Sequence, residues 1–110
     1  MQNITDINLL NQMKSNGALF ILFGGEHCAV CQTLQPQLES ILEQQLPDMR
    51  PVYVDCNKSP DICAQHSVFS LPVVKAYIDG MIIAEESGAF GIKQLVQKIE
   101  RPYRMWKASL

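Results

Sequence analysis

Six consecutive apolar residues, Ala18-Leu19-Phe20-Ile21-Leu22-Phe23, constrain the fold of this chain more than any other feature. The run is far shorter than the roughly 20 residues a membrane-spanning helix needs. It shows no polar alternation, so it predicts a strand covered on both faces, which requires helices above and below a sheet. Gly24-Gly25 ends it. The remaining segments supply the covering layers. Residues 6–16 place Ile7, Leu10 and Met13 at helical spacing, with Thr5 or Asp6 to cap the helix and Gly17 to end it. After Gly24-Gly25 a second helix carries Cys31, Leu34, Leu38, Ile41, Leu42 and Gln45 along one stripe, with Pro36 as a kink. Residues 51–55 read as a short strand, and Ser59-Pro60-Asp61 as the cap and first turn of a third helix running to about His66. Residues 72–78 and 81–85, joined through Asp79-Gly80, carry a hairpin signal. A last helix is expected from Gly91 to Glu100, with Ile92, Leu95, Val96 and Ile99 inward and Pro102 at its end. The order αβαβαββα predicts an α/β fold with a central mixed sheet of about four strands flanked by helices.

A length of 110 residues allows one domain, 1–110, with residues 101–110 as a C-terminal extension. A formal charge of -2 provides no basic field for nucleic acid, so no nucleic-acid partner is expected. The opening Met1-Gln2-Asn3-Ile4-Thr5-Asp6 has no positive charge and no apolar block behind it. The expected address is therefore the cytoplasm, with no membrane association, and there the four cysteines are expected to be mostly reduced. Charge is uneven along the chain. Residues 93–110 hold five basic side chains and one acid, against four basic and ten acidic in residues 1–92. Cations near the C-terminal end of a helix complement its dipole, which accounts for the bias without a partner. The segment Arg101–Lys107, with the only tryptophan, Trp106, either packs back on the sheet or docks a partner.

The chemistry-bearing motif is Cys28-Ala29-Val30-Cys31, placed where the buried strand turns into a helix. Unpaired N–H groups and the macrodipole at a helix N-terminus favour an anion, so a Cys28 thiolate is stabilised there. Cys31 lies one turn on, on the same side, where it can attack a mixed disulfide formed on Cys28. His27, if protonated, would depress the Cys28 thiol pKa further.

Further landmarks stand around this motif: Glu26 two residues before it, Pro36 in the following helix, Pro60 at the head of the third, Leu71-Pro72 before the hairpin, Asp79-Gly80 in its turn, and Gly88 after it. Together with the dithiol they resemble the thioredoxin family over nearly the whole chain. The resemblance implies a thioredoxin fold and a thiol–disulfide oxidoreductase that reduces protein disulfides through Cys28 and Cys31. It further implies a cis bond before Pro72, substrate backbone pairing at Leu71, and an apolar docking surface of Val30, Gly88 and Ala89. No cofactor beyond the dithiol is implied, because it carries the two electrons itself. The partners are a disulfide-bearing protein substrate and an upstream thiol reductant, for a monomer or weak dimer.

Departures from the family pattern are specific. His27 stands for the usual tryptophan, and Ala29-Val30 for Gly-Pro. The buried acid falls at Leu22, its lysine partner at Tyr53, and the aromatic after the first strand at Gly24. Without the acid, the Cys31 thiol is expected to be raised by desolvation and to resolve slowly, as in a specialised or slower dithiol protein. The competing reading is a thioredoxin-fold interaction module or chaperone-like adaptor with weak or vestigial redox activity. Cys56 and Cys63 are either two reduced core thiols or a second, regulatory disulfide. Their spacing suits a tetrahedral zinc site poorly, so no metal is expected, the remaining arrangement being a cluster shared between subunits. His66, in a polar helix end, is expected to be solvated.

Overall fold

The computed structural model describes residues 1–110. The elements in chain order are β1 (Gln2–Asn3), α1 (Ile7–Ser15), β2 (Ala18–Gly24), α2 (Ala29–Gln45), β3 (Met49–Asp55), α3 (Pro60–Gln65), β4 (Val73–Ile78), β5 (Met81–Ser87) and α4 (Ile92–Ala108). They form a five-stranded sheet in the order β1-β3-β2-β4-β5, parallel from β1 to β2 and antiparallel from β2 to β5.

The central strand is β2, and all seven of its residues are buried. Its side chains divide with the period of two that a strand imposes. Phe20 and Leu22 join the core under α2 and α4, with Leu34, Leu38, Leu95 and Ile99. Leu19, Ile21 and Phe23 join the opposite core under α1 and α3, with Leu10, Val52, Val54 and Ile62. One apolar run thus anchors both layers. Asp6 caps α1 by accepting the Asn8 amide at 2.9 Å, and Gly17 leaves the helix at φ +76°. Asp79 and Gly80 both take positive φ, 48° and 85°, as a two-residue hairpin turn with the right twist demands.

Five features differ from the sequence expectation. A fifth strand, β1, pairs with β3, and Ile4 behind it donates its amide to the Tyr53 carbonyl and is 1% exposed. Its two residues are exposed and polar, held by backbone pairing and by Gln2 Oε1 accepting from the Arg50 guanidinium, which leaves no hydrophobic pattern to read. Gln45 is exposed, and Leu46 takes the last buried position below α2. Ser59 stands at the N-cap of α3, yet its side chain makes no capping bond.

Pro102 does not end the last helix, which runs through it to Ala108. A proline inside a helix forfeits one hydrogen bond and crowds the preceding turn. Here that cost is offset by burial of Tyr103, whose hydroxyl accepts the Asp48 amide at 2.9 Å, and by packing of Trp106 against the core. The C-terminal segment therefore packs back. Finally, His66 is buried at 7% exposure. Its Nδ1 lies 2.8 Å from the Ile62 carbonyl, Lys14 Nζ lies 3.0 Å from Nε2, and its ring tilts against Phe23 at 5.3 Å. Long-range packing under β2 covers a helix end that is polar in sequence.

Candidate active site

The site forms where β2 hands over to α2. Gly24 and Gly25 are buried, and the chain turns through Glu26 and His27 to Cys28, the N-cap of the 17-residue α2. The turn is closed by Cys28 N donating to Gly25 O at 3.1 Å and by Gln32 Nε2 donating to the Glu26 carbonyl at 2.6 Å. Cys28 is half-buried, and its Sγ accepts the Cys31 amide at 3.2 Å. A sulfur thus fills the capping role usually held by a Ser or Asp oxygen. Cys31 is fully buried, with 0% exposure. The two cysteines are joined as a disulfide with Cα atoms 5.2 Å apart.

Leu71 and Pro72 lie beside this turn. Leu71 packs against Gly25, the Leu71–Pro72 peptide bond is cis, and Gly88 donates its amide to the Pro72 carbonyl at 2.9 Å. Val30 is 59% exposed, and Gly88 and Ala89 are exposed as well. Phe69, two residues before Leu71, is 84% exposed. Sequence reading passed over it, because a lone phenylalanine between Val68 and Ser70 reads as core. The His27 side chain is 87% exposed and sits 3.9 Å from the Glu26 carboxylate, with no hydrogen bond to Cys28. Cys56 and Cys63 are joined as a second disulfide, Cα atoms 5.7 Å apart, linking the exit of β3 to α3. With all four cysteines paired, no three His, Cys, Asp or Glu side chains gather in metal-ligating positions.

Residues 1–101 match the family described as Thioredoxin. The chain belongs to the thioredoxin family. The mitochondrial thioredoxin-3 of Saccharomyces cerevisiae is 34% identical over 89 residues, covering 81% of this chain and 68% of that protein. Its oxidised crystal structure superposes with a TM-score of 0.78 at 28% identity, covering 93% of this chain and 94% of that one. The thioredoxin-like protein YdfQ of Bacillus subtilis is 29% identical over 101 residues, 92% of this chain and 89% of its own. Thioredoxin from Trypanosoma brucei brucei, at 19% identity, shares the fold with a TM-score of 0.82, covering 93% of this chain and 89% of that one. Like its relatives, this thioredoxin-fold protein is a thiol–disulfide oxidoreductase acting on disulfide-bearing proteins, and Cys28 and Cys31 stand at bonding distance as a redox-active dithiol.

The departures from the family pattern meet in one place. Leu22 and Tyr53 are register partners on β2 and β3, facing α2. A β-carbon on Gly24 would overlap the Tyr53 hydroxyl and lie 3.0 Å from Cys31 Cβ. The missing side chain at Gly24 is what lets the phenol reach that position. Burial pushes the Tyr53 phenol above its usual range, and the Asp55 charge adds to this while a hydrogen bond from the Gly25 backbone opposes it.

Proposed function

We propose that the protein works as a reductant of protein disulfides, with Cys28 as the attacking thiolate and Cys31 as the resolving thiol. The observation that carries this reading is the Cys31 amide donated to Cys28 Sγ at the first turn of α2. A sulfur that accepts a peptide N–H at the positive end of a helix gains most when it bears a negative charge, so the thiolate is favoured over the thiol. The Cys28 thiolate attacks one sulfur of the substrate disulfide, forming a mixed disulfide and releasing the first substrate thiol. Cys31 then loses its proton and attacks Cys28 Sγ, releasing the second. Two electrons pass from the dithiol to the substrate sulfurs, and the Cys28–Cys31 bond closes.

The Leu71 backbone and Pro72 present the substrate segment, and the exposed Val30, Gly88 and Ala89 form the apolar rim. The dithiol needs no further cofactor, and an upstream thiol returns it to the reduced state. The reducing direction follows from a cytoplasmic address, where the thiol poise keeps ordinary dithiols reduced. His27 faces the Glu26 carboxylate rather than the Cys28 sulfur, so no direct contact with the nucleophile is assigned to it.

The test is an insulin disulfide reduction assay driven by dithiothreitol. The parent protein accelerates the reaction and Cys28→Ser does not. A parent without activity would replace this reading with that of a binding adaptor. A Cys31→Ser variant, unable to resolve, should hold its partners covalently on Cys28 and so name the substrates.

A further inference from the structure

A buried thiol that must ionise needs a polar neighbour, and the expected one is absent. Cys31 is fully buried. On the side of β2 that faces α2 the chain offers Phe20 and Leu22, and neither takes nor gives a proton. The carboxylate next along the sheet, Asp55, accepts the amides of Asn57 and Lys58 at 2.8 and 3.2 Å and is turned into that loop. What remains is the Tyr53 hydroxyl, which shares with Cys31 Cβ the space left open above Gly24.

We propose that the Tyr53 hydroxyl donates a hydrogen bond to Cys31 Sγ and stabilises its thiolate during the resolving step. This rests on the dithiol reading above and identifies the group that serves its second half. In that half, the Cys31 thiol gives its proton to the departing substrate sulfur. The Cys31 thiolate breaks the bond between Cys28 and the substrate, and the internal disulfide forms. Tyr53 neither gains nor loses its proton overall; it lowers the cost of negative charge on a sulfur that water reaches poorly. Its phenol suits a donor, because a tyrosine hydroxyl is protonated at neutral pH and burial pushes its pKa further up. Leu22, Gly24 and Tyr53 then form a single exchange. The acid is lost, the position two residues after it is emptied of side chain, and a phenol from the neighbouring strand enters the gap.

The experiment mixes reduced protein with excess glutathione disulfide, quenches with acid at intervals, and follows by mass spectrometry the mixed disulfide on the Cys28–Cys31 segment. In Tyr53→Phe the mixed disulfide forms at the parental rate but decays about tenfold more slowly at neutral pH, and the pH profile of the decay moves up by about one unit. Gly24→Ala retains the phenol and displaces it from Cys31, so it should slow decay in the same way. Thermal unfolding of each variant separates folding from chemistry. Parental decay rates and pH profile in both folded variants would overturn the role of Tyr53 alone. Failure of the parent to form the mixed disulfide at Cys28 would instead overturn the dithiol reading.

Discussion

The chain carries the same covalent bond in two settings. Cys28–Cys31 sits at the start of a 17-residue helix, with one sulfur half-exposed and capped by a backbone amide and the other buried behind it. Cys56–Cys63 ties the end of β3 to the middle of a six-residue helix. Cys63 is 2% exposed and packs within the core below α1 and α3, and no backbone amide is donated to either sulfur of this pair. Two elements of equal composition are thus prepared for different work. Where peptide dipoles converge on an accessible sulfur, the pair exchanges with other disulfides. Where the sulfurs face apolar side chains, the pair is a crosslink. A cysteine's surroundings, rather than its having a partner, decide its chemistry.

Single substitutions test this contrast, beginning with the largest effect. Cys28→Ser removes the nucleophile and should lower insulin-reducing activity by roughly 10³-fold or more, to the rate without protein. Cys56→Ala with Cys63→Ala should leave that activity within about twofold. Activity that fell with the second pair would erase the distinction. The same double variant should show its cost in stability instead. Closing a loop this short in the unfolded chain is worth roughly 2 kcal/mol, so the denaturation midpoint of the oxidised protein should fall correspondingly. An unchanged midpoint would mean that the second bond constrains nothing.

A smaller effect is expected from pH around the second pair. His66 follows α3 directly; its backbone carbonyl accepts Lys75 Nζ from β4 at 2.6 Å, and Lys14 Nζ from α1 lies 3.0 Å from its ring Nε2. Burial holds the His66 imidazole below its usual range, with the two lysine charges acting in the same sense and the Ile62 carbonyl opposing them. The ring is therefore neutral in the fold, while the unfolded chain binds a proton near pH 6.5. Below that pH the unfolded state holds more protons, so stability is fully present above it and declines as pH falls toward the lowered native value. Thermal unfolding between pH 7.5 and 5 should show this decline, and His66→Gln should flatten it. A decline of equal size in His66→Gln would assign it to other groups.

Much of the arrangement was legible because its signals are local. The unbroken run from Ala18 to Phe23, the cysteine at a strand-to-helix junction and the Asp79-Gly80 turn each state their geometry within a few residues. What escaped depends on residues far apart in sequence. Helix α4 crosses Pro102 because Tyr103 reaches the Asp48 amide. His66 is buried because Phe23 and Lys14 come to it from other elements. At the site, the sequence displays Leu22, Gly24 and Tyr53 as three separate departures. Only the register of β2 against β3 reveals that one fills the space another vacates. The sequence exposes which polar partners are lost, and the fold exposes what replaces them.

The central claim concerns the acidity of one sulfur, and the pH dependence of alkylation in the reduced protein measures it directly. Iodoacetamide modification, mapped by peptide to each cysteine, should give Cys28 a midpoint clearly below the value of about 8.5 for a free thiol, and below those of Cys31, Cys56 and Cys63. A Cys28 midpoint at or above that of free cysteine, or one higher than that of Cys56, would contradict the account.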